Sequence, residues 1–216
     1  MEHHLLPGPD VTGHTTMNSH DRPSRFAGEE GFTLLELLVV VGLMGVVAAM
    51  AMMVSPALTL SKRSDSGLEQ ALDAIRSARE VAISQRRNVR LNFVGLTAFQ
   101  TLREDINSSG TVTGTTILRT IELENRMQIR LDPDVPSNTP DRFPTAAKPA
   151  TATAFSGPTP VRFTSEGTLV DANGDVVNGT ITLSIPSQKN SARAVTIMGA
   201  TALIKSWRWN GNAWVE

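Results

Sequence analysis

The hydrophobic pattern changes period several times along the chain. Up to Gly31 small and polar residues dominate without a repeat. Phe32 to Val54 is then an apolar run of 23 residues interrupted by one charge, Glu36. At about 1.5 Å per residue a helix of this length spans roughly 34 Å, enough for a bilayer core. Pro56 follows and is expected to kink the helix or mark the membrane exit. Leu68, Leu72, Ile75, Ala78 and Ala82 recur at steps of three and four. That spacing predicts one apolar stripe of an amphipathic helix ending near Gln85.

From Asn88 the pattern shifts to strands. VRLNF, TTILRTIEL, MQIRL, VRFT, TITLSI and AVTIM are short and rich in β-branched residues, with turn residues between them. Asp132 to Pro160 interrupts the strands with seven prolines and many Thr and Ala residues. This stretch reads as a loop, not an element, and its length marks it as either mobile or a contact surface. The expected organisation is a leader at 1–31, a membrane span at 32–54 and an amphipathic continuation at 55–86. A β-rich domain at 87–216 contains the loop 132–160.

A secretory signal peptide fits the apolar run poorly. Such a peptide has a basic start, a shorter apolar core and a small-residue cleavage site after it. Here the run is longer and no A-x-A motif closely follows, so the segment is expected to remain as an anchor. Arg22 and Arg25 precede it and Lys62 and Arg63 follow it. The positive-inside balance therefore gives no orientation.

Composition narrows the chemistry. The chain has no cysteine and no tyrosine, and its four histidines (His3, His4, His14, His20) precede Gly31. Beyond Gly31 there is no material for a Ser-His-Asp or Cys-His site, or for a zinc site with imidazole ligands. An enzyme on a signal anchor would need a carboxylate pair or a Ser-Lys site, and no spacing nominates one. The chain is read as a non-enzyme without a cofactor. The 20 basic and 21 acidic residues nearly cancel. Met1 to Gly31 carries five acids against two arginines, so its removal leaves 18 basic and 16 acidic groups, a difference of +2.

Glu36 lies about 6 Å along the helix from the start of the apolar run. It either snorkels to the headgroups or acts as an intramembrane acid with a partner. A cut after Gly31 creates that partner. The new amino group on Phe32 lies at i and Glu36 at i+4 on one helix face, and a shifted neighbouring copy would pair amine with carboxylate.

The residues GFTLLELLVVVGLMGVVAA resemble the prepilin signal of type IV pilins and type II secretion pseudopilins: glycine, Phe, Thr, two aliphatics, Glu, then a continuous apolar helix. The resemblance implies cleavage between Gly31 and Phe32 by a prepilin peptidase, N-methylation of Phe32, and an assembly role for Glu36. Leaders of this kind usually end in basic residues, whereas this one has Glu29 and Glu30. It is also long, and Met17 is an alternative start that leaves a 15-residue leader.

ALDAIRSAREVAISQRRNVRL, FTSEGTL and the closing AVTIMGATALIKSWRWNGNAWVE resemble the H-type pseudopilin and FimT-type minor pilin family. That family implies an α+β, pilin-like fold with a long N-terminal helix packed on an antiparallel β-sandwich. It implies an inner-membrane, single-pass protein with a periplasmic C-terminal domain. Its partners would be other pseudopilins or pilins in a filament, the prepilin peptidase and the inner-membrane assembly platform. The favoured version is a minor pseudopilin of type II secretion. The alternative is a minor pilin of a type IV pilus, linked in some FimT-type members to DNA uptake.

Several local features compete with plainer readings. Asp171, Asn173 and Asp175 alternate as in the start of a calcium loop, but the later bidentate glutamate is missing. Asn-Gly between strands favours a hairpin turn. Arg76, Arg79, Arg86 and Arg87 lie off the apolar stripe, as a solvated helix face would place them. Lys205, Trp207, Arg208 and Trp209 interleave aromatic and basic residues in the manner of single-strand nucleic-acid binders. However, Trp207 and Trp209 share one strand face and Arg208 the other, which is ordinary core alternation. DNA-binding relatives tend to carry Gly-Arg-x-Arg where this chain has Gly199, Ala200, Thr201 and Ala202. The balance is against nucleic acid. Gly42 and Gly45 suit close helix approach, although their spacing is not that of GxxxG.

Overall fold

The computed structural model describes residues 32–109, 111–145 and 148–216, with the side chains of 52–58 outside that description. Residues up to Val47 and residues from Ala48 onward form two separate units. The leader and Gly31 lie outside the described residues, so the cleavage site and the choice between Met1 and Met17 do too.

Helix α1 runs from Leu34 to Gln85. Thr33 caps its start: the Thr33 Oγ1 accepts a hydrogen bond from the Glu36 N–H at 3.2 Å. The helix continues through Pro56. At its end Arg86 adopts a left-handed φ of 51°. The Arg87 N–H then reaches the Ala82 carbonyl at 3.1 Å, and the Arg86 N–H reaches that of Ile83 at 3.3 Å. This reciprocal pair closes the last turn.

Eleven strands follow among the described residues. They are β1 (Val89–Val94), β2 (Ala98–Ile106), β3 (Val112–Glu122), β4 (Gln128–Ile129), β5 (Thr153–Phe155) and β6 (Val161–Phe163), then β7 (Leu169–Val170), β8 (Gly179–Ile185), β9 (Gln188–Met198), β10 (Leu203–Trp209) and β11 (Trp214–Val215). One sheet has the order β3-β2-β1-β6-β7 and the other β11-β10-β9-β8-β4, with β5 also on β8. All strand pairings among the described residues are antiparallel. The architecture is the expected α+β one, a long helix with two antiparallel sheets.

Every residue of the predicted helix stripe, Leu68, Leu72, Ile75, Ala78 and Ala82, is buried. They form one core cluster with Val89, Leu91, Phe99 and Phe163 of the first sheet and Ile181, Leu183, Val195 and Ile197 of the second. Ala71, Ala74 and Ala78 of the helix are nearly solvent-free within this core.

A second, smaller cluster corrects the reading of 132–160. Val135 packs with Ala192, Ala194, Trp207, Trp209 and Trp214. The Trp214 indole N–H donates to the Pro136 carbonyl at 2.8 Å, and the Thr180 hydroxyl donates to the Phe143 carbonyl at 2.8 Å. The loop is therefore a packed cover over one face of the second sheet. It also contains β5, an element that its proline content hid.

Candidate assembly and contact surfaces

Leu34–Ala51 of the helix is apolar and long enough to cross a membrane, and its side chains are exposed. Phe32 precedes the helix, and Glu36 sits in its first turn. Thr33 as cap and Glu36 as the third helical residue make the T-x-x-E pattern of a capping box. A Cβ added at Gly42 or Gly45 would meet nothing within 4 Å, so neither glycine is needed by the chain itself.

At the C-terminal strand pair the rings are committed to packing. Trp207 and Trp209 are each 7% exposed, while Arg208 points outward. The Trp207 indole N–H donates to the Thr196 hydroxyl at 3.0 Å, and Trp209 meets Trp214 edge to face at 5.6 Å. Lys205 lies 5.6 Å from the Trp207 ring centre and pairs with Glu216 at 3.4 Å. Stacking on bases needs open ring faces. These tryptophans spend theirs under the 132–150 cover, leaving only Lys205 and Arg208 at the surface.

The DANGD stretch is a turn. The buried Asp171 carboxylate accepts from the N–H groups of Asn173 at 2.8 Å and Asp175 at 3.0 Å. Gly174 takes φ 93°, and Val170 bridges Val176 across the turn. An Asp side chain bonded to its own backbone holds such a reversal without a cation. No group of three or more His, Cys, Asp or Glu side chains able to hold a metal occurs among the described residues.

Two ion-pair clusters, each with one fully buried member, escaped the sequence reading. Glu104, with no side-chain exposure, accepts from Arg90 at 3.0 and 3.1 Å, and Arg162 stands 3.7 Å from its other oxygen. Arg90 and Arg162 face each other across β1 and β6. Separately, Arg193 on β9 reaches Asp65 on α1 at 2.9 Å and donates to the Asn190 and Ala192 carbonyls. Burial lowers the Arg193 pKa, against the opposing pull of Asp65. The Glu104 cluster depends on strand register and the Arg193–Asp65 pair on how the helix packs against β9, neither of which periodicity supplies.

The architecture and the signal together define a pilin-like protein. Residues 68–201 match the family model described as type II transport protein GspH, and residues 27–52 match the prokaryotic N-terminal methylation motif. The chain belongs to the GspH family and carries the prepilin-type methylation motif. Its exposed apolar stretch Leu34–Ala51, which lies within the match to the methylation motif, is long and apolar enough to cross a membrane. Among solved structures, the minor pseudopilin EpsH from the type 2 secretion system of Vibrio cholerae is similar at 10% identity and a TM-score of 0.40, over 66% of this chain and 96% of that one. The type IV minor pilin FimU of Pseudomonas aeruginosa is similar at 14% identity and a TM-score of 0.40, over 74% and 95%. No curated protein sequence matches.

Proposed function

We propose that this chain is a minor pseudopilin, a structural subunit of a type II secretion pseudopilus. A prepilin peptidase cuts it between Gly31 and Phe32 and methylates the Phe32 amine. Before assembly it is held in the inner membrane by a single span, with its β domain in the periplasm. In the filament it contacts other pseudopilins through its helix and presents its β domain to partners. The observation that carries this reading is an exposed apolar helix with one acid, Glu36, in its first turn, in a chain whose residues 68–201 match the GspH model. No histidine or cysteine follows Gly31, which speaks for a mechanical role over a catalytic one.

The lack of native cysteine makes the test clean. Thr115 is an exposed residue on β3, an edge strand of its sheet. Thr115→Cys, cross-linked in cells and read by mass spectrometry, is expected to recover secretion pseudopilins. Recovery of pilus subunits instead would move the protein to a type IV pilus.

A further inference from the structure

We infer that the β domain carries, at its end nearest in sequence to the membrane span, a site for the phosphate of an anionic phospholipid headgroup, formed by Arg63 and Arg126. This rests on the proposed membrane insertion of residues 32–54. A cavity of about 520 Å³ there is lined by Leu60, Arg63, Asn125, Arg126, Ile185 and Gln188, among others.

Three elements build it. On α1, a Cβ at Gly67 would lie 2.5 Å from the Met127 Cγ, so glycine there admits the fully buried Met127 against the helix. Arg63 is one turn before Gly67 on the same helix face. Met127 in turn closes the reversal at Glu124–Met127: its N–H donates to the Glu124 carbonyl at 3.0 Å, and Asn125 and Arg126 both take left-handed φ values of 58° and 66°. That reversal puts Arg126 on the wall of the same cavity that Arg63 lines. The turn between β8 and β9 supplies Ile185 and Gln188. It is tied by Ser191, whose hydroxyl accepts from the Ile185 N–H at 2.7 Å and donates to the Gln188 carbonyl at 2.5 Å.

The scaffold is fixed without help from the arginines. Arg63 and Arg126 are exposed, and no carboxylate within salt-bridge distance of either is found among the described residues. Lys62 and Lys189 add exposed positive charge, and Glu124 is the acid in the same turn. Asp65, the next acid along the helix, is taken by Arg193 at 2.9 Å. Two unpaired guanidinium groups beside an apolar floor of Leu60 and Ile185 suit a phosphate diester, with guanidinium forks on its oxygens. Covalent reach gives the source. Leu60 is nine residues past Ala51, so even an extended chain separates them by only about 30 Å. A headgroup is thus the phosphate within reach, and it would hold the subunit against the membrane surface before extraction into a filament.

The test uses the full chain in detergent, with dioleoyl phosphatidylglycerol or dioleoyl phosphatidylcholine added and bound lipid counted by native mass spectrometry. Phosphatidylglycerol should be retained in preference. R63Q/R126Q should weaken its retention about 25-fold, at about fivefold per charge. R86Q/R87Q, just past the helix C-terminus, should leave it unchanged. Equal retention by R63Q/R126Q, or no headgroup preference in the native chain, overturns the site. Displacement of the lipid by millimolar inorganic phosphate overturns the lipid assignment in favour of free phosphate. Alkaline carbonate extraction separates the two levels. A chain released from membranes sinks the insertion reading and the site with it, whereas a retained chain without lipid preference sinks the site alone.

Discussion

Glu104 shows how a single residue can matter more than its surroundings suggest. Its carboxylate is fully buried, while Arg90 and Arg162 are 27% and 18% exposed. Removing the acid leaves two adjacent guanidinium groups across β1 and β6 with no counter-charge. Breaking a buried pair by deleting one partner typically costs 3–5 kcal/mol. The partial exposure of the arginines puts Glu104→Ala near the lower end, about 3 kcal/mol. For a chain of this size that is a fall in Tm of about 6–12 °C. The contrast is Asp73, which pairs with Arg119 at 2.9 Å with both side chains at least half exposed. Asp73→Ala should cost less than about 1 kcal/mol, because solvent screens such pairs. Thermal unfolding of the full chain in detergent checks both, and equal losses would mean that burial is not what makes Glu104 important.

At the scale of elements, the cover formed by 132–150 is the least expected feature. Its prolines and threonines carry no period, so nothing in the sequence says what it packs on. Its attachment comes from residues 37 to 78 positions away: Thr180, Thr196 and Trp214 each bond to it. Trp214→Ala removes both the indole N–H on Pro136 and the edge-to-face contact with Trp209. Truncation of a buried aromatic costs about 3–5 kcal/mol. The loss should appear locally, as new protease cleavage within 132–150 while the main core stays folded. Cleavage spread evenly along the chain would show instead that the cover and the core unfold together. The helix was legible for the opposite reason. Leu68, Leu72, Ile75, Ala78 and Ala82 bury against a neighbour that needs only a one-sided stripe, so local spacing was enough. Strand β2 was not, because Gln100, Arg103, Glu104 and Asp105 break its alternation, and Glu104 is buried only by virtue of register. The same limit hid Arg193 with Asp65, 128 positions apart. By contrast Phe32 and Glu36 were visible at once, because their meaning is carried by four consecutive steps of one helix.

For the whole molecule the question is what Glu36 does once the subunit leaves isolation. In the chain alone its backbone N–H is held by the Thr33 hydroxyl, and it occupies the glutamate position of the T-x-x-E capping pattern. A cap is worth about 1 kcal/mol. An unpaired charge costs about 2.5–3.5 kcal/mol at the bilayer centre and less near the interface, where Glu36 would lie, so a partner on assembly still lowers its free energy. The amine of Phe32 in a neighbouring copy fills that role in the proposed filament. The two uses separate by substitution. Glu36→Gln keeps a hydrogen-bond acceptor for the cap but removes the charge, and Glu36→Val removes both. If amine pairing governs assembly, both variants should be cleaved after Gly31 and inserted like the native chain, yet be missing from sheared filaments. Thr33→Ala, which damages only the cap, should still assemble. Capping alone predicts another order, with Gln tolerated and Ala at 33 as harmful as Val at 36. Immunoblots of membrane and filament fractions from the three variants decide between them.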